Sequence, residues 1–201
     1  PGRWDRPESF RMAGFAKAVE SRGLRLDLVA VDSHLGYYRE RSVVERLHLD
    51  VVAPARAAGY RTIWIVGTSL GGVGGLLYLR DHPDDLSGVL ALAPFLGTDD
   101  VIREIEAAGG PTRWAPPPTL ATYDVGRELW SWLAPWAVSR PAIPLHLAWG
   151  SEDDLAEANQ MLATLLPRER VYTDRGGHDW KTWARLWERF LDRTELCREG
   201  P

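Results

Sequence analysis

Gly67-Thr68-Ser69-Leu70-Gly71 follows directly on the apolar run Thr62-Ile63-Trp64-Ile65-Val66 and leads into a small-residue stretch, Gly72 to Leu79. A strand, a sharp turn and a helix in that order put a serine at the apex of the turn. Side chains larger than hydrogen at the flanking positions would collide with the neighbouring strand and helix, which explains the glycines. The first amides of a helix lack carbonyl partners and stabilise negative charge. A serine held there suits nucleophilic attack. The competing reading is an ordinary strand-to-helix loop with Ser69 as a helix cap.

A nucleophilic serine needs a base, and the base needs an orienting acid. Arg175-Gly176-Gly177-His178-Asp179-Trp180 follows the short run Arg170-Val171-Tyr172-Thr173. Two glycines before the histidine read as a flexible loop able to deliver an imidazole, which exchanges protons near neutral pH. Upstream, Pro144-Leu145-His146-Leu147-Ala148-Trp149 reads as a buried strand ending in Gly150-Ser151-Glu152-Asp153. Loops beyond the carboxyl ends of parallel strands line the binding crevice, so Ser69, Asp153 and His178 are expected at one edge of one sheet. Asp154 competes with Asp153 for the acid's place, and both also suit a helix start. Asp99 and Asp100 are further alternatives, whereas Asp179 reads as a helix-start residue. His34, His48, His82 and His146 read as structural.

These groups need a scaffold. The pattern predicts a helix from about Ser9 to Arg22, with Phe10, Phe15 and Val19 on one side and Gly23 ending it. Leu26 to Val31 reads as a buried parallel strand. Val43 to Ala58 reads as a helix that Pro54 must kink or split. The helix after Ser69 is expected to end near Asp81, and Gly88 to Ala93 reads as the next strand. Trp180, Trp183, Trp187 and Phe190 share one face of the last helix and read as core packing. Strands alternating with helices imply an α/β chain: a mostly parallel sheet with helices on both faces.

The chain order Ser, Asp, His, with G-x-S-x-G on a strand-to-helix turn, resembles the α/β-hydrolase superfamily over nearly the whole length. Gly150 to Asp153 matches the family's Gly-x-x-Asp acid loop, and His178 precedes the last helix as the family's histidine does. Gly-Gly-His-Asp-Trp followed by Trp183 is also similar to the end of enterochelin-esterase-like proteins.

The resemblance implies that Ser69 attacks a carbonyl carbon, His178 removes its proton, and Asp153 fixes the imidazole tautomer. It implies an oxyanion hole from the backbone N–H of Leu70 and one from the Gly2–Trp4 loop, assigned to Arg3. Pro1-Gly2 would stand where the family has His-Gly, with the strand before it missing. Residues 95–141 break the alternation and match the family's cap-like insertion within a single 1–201 domain. At least one of Trp130, Trp132 and Trp136 in it is expected to face substrate, with core packing as the alternative. The implied activity is a serine hydrolase cleaving a small carboxylic ester through an acyl-enzyme. Thioesterase, amidase or acyltransferase chemistry on the same triad, or a catalytically silent binding module, are the alternatives.

Composition narrows the classes further. The chain has 201 residues and a formal charge of −4. With no basic patch, nucleic acid is not an expected partner, and no apolar run is long enough to span a bilayer. No Cys/His cluster has metal-ligand spacing, so neither metal nor cofactor is expected. Cys197, the only cysteine, reads as an ordinary thiol. Cytoplasmic location is the expectation, and oligomeric state is unread.

Overall fold

A computed structural model describes residues 1–121, 124–139 and 141–193; Cys197 lies outside the described residues. Four strands form one sheet: β1 (Trp64–Thr68), β2 (Gly88–Leu92), β3 (Leu145–Gly150) and β4 (Val171–Asp174). They pair in the order β1-β2-β3-β4, all parallel. Thr68 stands opposite Leu92, Leu92 opposite Ala148, and Gly150 opposite Asp174, so the carboxyl ends are level. β2 and β3 are buried along their whole length, as the near-continuous apolar runs of a two-face-covered parallel sheet require.

Both faces carry helices. On one, Ile65 and Val89 meet α6 (Leu70–Asp81), close to Gly75. On the other, Trp64, His146 and Tyr172 meet Phe190 of α10 (Trp180–Arg193) at ring-centroid distances of 5.5, 5.1 and 6.2 Å. Trp183, Trp187 and Phe190 are buried, so the aromatic stripe of the last helix packs into the core as its spacing predicts. α7 (Asp99–Ala107) and α8 (Val125–Val138) occupy the stretch between β2 and β3, and α9 (Ala156–Ala163) connects β3 to β4. Arg127 fastens α8 to α7, donating from Nε to Glu104 at 2.9 Å and from Nη1 to Asp124 at 2.6 Å.

Two expectations are corrected here. The first helix is two, α1 (Pro7–Met12) and α2 (Phe15–Glu20), because Gly14 between them takes the left-handed φ of 87°. Phe10 and Phe15 still meet Trp180 edge-on at 4.9 and 5.9 Å. The run Leu26 to Val31 forms no strand. It lies outside the sheet with Leu28 46% and Val29 70% exposed, and the Tyr60 hydroxyl donates to Asp27. Apolar composition alone cannot supply the partner whose hydrogen bonds make a strand. Pro54 stands in the first turn of the second of two α-helical pieces, where its missing N–H leaves no helical bond unmade. α4 (Val43–Leu47) and α5 (Ala53–Ala57) are joined by a π-helical turn, His48–Val52, and such wider turns accommodate irregularities inside helices. α3 (Leu35–Arg39) precedes this segment.

Candidate active site

Ser69 follows β1 and caps α6 with φ 52° and ψ −115°, backbone angles that cost a non-glycine residue on the order of 1–3 kcal/mol. The surrounding packing enforces them. The Ser69 N–H donates to the Leu92 carbonyl at 2.8 Å, and its own carbonyl accepts from Gly72 and Phe95 at 3.0 and 3.3 Å. A Cβ on Gly67 would lie 2.2 Å from the Gly71 carbonyl oxygen, so the turn closes only with glycine there. Leu70 is the first residue of α6, and N–H groups at that position have no carbonyl one turn earlier.

Asp153 and His178 come together from the loops after β3 and β4. His178 Nδ1 lies 3.0 Å from Asp153 Oδ1 and 2.9 Å from Oδ2. The Asp153 side chain is wholly buried and the His178 side chain 29% exposed, so the carboxylate sits behind the imidazole, away from solvent. Asp153 Oδ1 also accepts from the Leu155 N–H at 2.8 Å, which makes it a local turn residue as well as a histidine partner. Asp154, Asp99 and Asp100 are exposed. Asp179 caps α10, accepting from Thr182 N–H at 2.9 Å, as its position predicts. The Trp183 ring meets the His178 ring edge-on at 4.9 Å.

The glycines around this pair have a different purpose from the flexibility read in the sequence. A Cβ on Gly150 would sit 2.1 Å from the Gly176 carbonyl oxygen, and one on Gly176 would sit 2.1 Å from Thr182 Oγ1. The two loops are pressed together, and the Glu152 N–H donates to the Gly176 carbonyl at 2.9 Å.

The loop at residues 1–5 lies over the serine. A Cβ on Gly2 would be 3.5 Å from Ser69 Cβ, and one on Gly71 2.6 Å from the Pro1 carbonyl oxygen. Asp5 fixes this loop from below, accepting from the Trp180 indole at 2.8 Å, while its N–H donates to the Gly2 carbonyl at 3.2 Å. Arg3 therefore belongs to a segment that touches both the serine turn and the start of α10. Its guanidinium lies over the Trp4 ring at 4.8 Å.

The three tryptophans do not converge on this rim. Trp130 is fully buried with its indole N–H donated to the Leu96 carbonyl at 2.8 Å, a core position rather than a substrate wall. Trp132 and Trp136 contact each other at 5.3 Å and pack partly buried against the core. Trp136 lines a cavity of about 680 Å³ with Leu145, the first residue of β3, at the sheet edge opposite Ser69. Three identical indoles on one helix take different faces, and composition alone cannot tell which of them turns inward.

A second cavity, of about 650 Å³, runs along α6 from Leu70 to Arg80 and is walled also by Tyr38, Leu77, Phe95 and Val101. Sequence reading missed these residues, although Leu70, Val73 and Leu77 repeat at helical spacing directly after the serine. Tyr38 lies so close to α6 that a Cβ on Gly74 would be 2.5 Å from its hydroxyl. Burial pushes the pKa of that phenol up to about 12.

A parallel sheet with helices on both faces, a serine on a strained strand-to-helix turn and a paired Asp and His on later loops define an α/β-hydrolase fold. The Esterase family model, described as "Putative esterase", matches residues 49–196. The chain belongs to that family, which places it among ester-cleaving hydrolases. No curated protein sequence matches it. Among solved structures it is similar to an S-formylglutathione hydrolase from Staphylococcus aureus (TM-score 0.62, 13% identity, covering 95% of this chain and 77% of that one). A ferulic acid esterase aligns with TM-score 0.58 and 16% identity over 97% of this chain and 82% of that one. A CIB-like hydrolase from Thermoplasma acidophilum aligns with TM-score 0.51 and 16% identity over 92% and 80%. Among the described residues no helix is long and apolar enough to cross a membrane.

Proposed function

We propose that this protein is a serine hydrolase that cleaves a small carboxylic ester through an acyl-enzyme. The observation that carries the reading is the 2.9–3.0 Å approach of His178 Nδ1 to the buried Asp153 carboxylate. It leaves Nε2 as the imidazole's proton-accepting edge, on the sheet rim that also carries Ser69. In this reading Nε2 takes the hydroxyl proton of Ser69 as Oγ attacks the ester carbonyl. Asp153 holds the proton on Nδ1 and stabilises the imidazolium without taking its proton. The tetrahedral oxyanion is held by the N–H of Leu70 and an N–H of the residue 2–4 loop, assigned to Arg3, each contributing roughly 3 kcal/mol. His178 then protonates the departing alkoxide, and water, deprotonated by the same nitrogen, releases the acid.

The cavity beginning at Leu70 supports an apolar acyl or alcohol group bound beside the nucleophile. Residues 95–141 contribute Phe95 and Val101 to it, which agrees with a cap-like role for that segment. The test is labelling by a fluorophosphonate probe. A single adduct on Ser69, lost in Ser69→Ala and on unfolding, is the expected result. A folded protein that takes no label would favour a silent binding module.

A further inference from the structure

Among the described residues, three side chains outside the candidate active site are arranged to share a cation: His48, His82 and Asp85, whose ligand atoms all lie within 4.8 Å of one another. They come from three elements. His48 opens the π-helical turn, His82 follows the last turn of α6, and Asp85 ends a 3-10 turn, Pro83–Asp85. We propose that His48, His82 and Asp85 form a binding site for a divalent transition-metal ion of the zinc class, cross-linking the helical segment 43–57 to the far end of α6.

The distances carry the argument. Asp85 Oδ2 lies 3.2 Å from His48 Nδ1 and 3.7 Å from His82 Nδ1. Ligands bound tetrahedrally at about 2.0–2.2 Å stand roughly 3.3–3.6 Å apart, so small side-chain rotations would admit the ion. The imidazole rings stack within 10° of parallel at 4.5 Å. Two nitrogens and one carboxylate oxygen suit zinc; calcium and magnesium require oxygen ligands. The Tyr78 hydroxyl donates to the same Asp85 oxygen at 2.9 Å and would orient the carboxylate, as partners behind metal ligands do. The three side chains are 27–34% exposed, so an ion can reach them from solvent and water can complete the coordination.

The competing arrangement is a hydrogen-bonded cluster alone, since His48 Nδ1 also lies 3.0 Å from the Tyr78 hydroxyl. The site sits at the opposite end of α6 from Ser69, about 18 Å along a helix of that length. Its role is therefore structural, and independent of the ester chemistry. Sequence spacing could not reveal it, because His48 and His82 are brought together only by the packing of α4 on α6.

The experiment is competition for zinc between the full chain and a colorimetric chelator, with thermal unfolding followed in parallel. One zinc per chain and a rise in Tm with zinc are expected. His82→Gln and Asp85→Asn should each weaken binding at least about tenfold, while His34→Ala should leave it unchanged. Wild-type protein that retains no zinc against the chelator overturns the proposal. So does binding that survives both substitutions, because the ion would then be held elsewhere.

Discussion

Gly150 and Gly176 touch so closely that a Cβ on the first would fall 2.1 Å from the carbonyl oxygen of the second. That contact sets the distance between the acid loop and the histidine loop. Gly150→Ala must push the loops apart or tilt the end of β3. A misplacement near 1 Å costs roughly a hundredfold in rate, so kcat for an aryl ester should fall by about that factor. The protein should remain folded by circular dichroism. Unchanged kcat would show that the contact does not position His178.

Asp153→Asn offers a sharper test of the acid. The amide can still accept from the Leu155 N–H through its oxygen, so the turn survives. The imidazole, however, loses the charge that fixes its tautomer, and kcat should drop on the order of 10⁴-fold. Asp154→Asn, Asp99→Asn and Asp100→Asn change exposed side chains and should stay within a few-fold of wild type. A large loss in one of these and a small loss in Asp153→Asn would reassign the acid.

Legibility in the sequence followed the range of the interactions. Ser69 is legible because five consecutive residues define its turn, and Asp153 because it lies on the loop just past the end of a buried strand, in the run Gly150 to Asp153. The break at Gly14 is hidden because hydrophobic spacing continues across it, and the run Leu26 to Val31 because pairing with a distant strand, not local composition, makes a strand. Which of Trp130, Trp132 and Trp136 would face substrate is not legible: the Trp130 indole reaches the Leu96 carbonyl, a contact 34 positions away. The Tyr38 wall of the Leu70 cavity depends on how α3 meets α6, which no local pattern encodes.

The same contrast separates pocket from core among the aromatic and aliphatic residues. Leu77→Trp enlarges a half-buried side chain in the wall of the cavity at Leu70. Across aryl esters of increasing acyl length it should lower kcat/KM for the longer members by about 10–100-fold and spare the acetyl ester, the range expected for small changes in an apolar pocket. Trp136→Ala, at the opposite sheet edge, should leave that chain-length profile unaltered. Trp130→Ala should instead cost about 3–5 kcal/mol of stability, read from denaturant unfolding. A flat chain-length response to Leu77→Trp would remove this cavity from the substrate path.

His146 predicts how stability responds to acid. Its ring lies in β3, 3.1 Å from the Tyr172 hydroxyl, and burial pulls its pKa down from 6.5 to about 4. Between those values the unfolded chain binds a proton that the folded chain refuses. Stability from the neutral ring is thus complete above about pH 6.5 and is lost as the pH falls towards 4, with a limit on the order of 3 kcal/mol. Denaturant midpoints measured from pH 7 to 4.5 should decline accordingly. His146→Leu cannot titrate, so its midpoint should decline less over the same interval, even if it starts lower because Tyr172 has lost its partner. Equal slopes for the two proteins would mean that other groups govern the acid response and that His146 is solvated in the folded state.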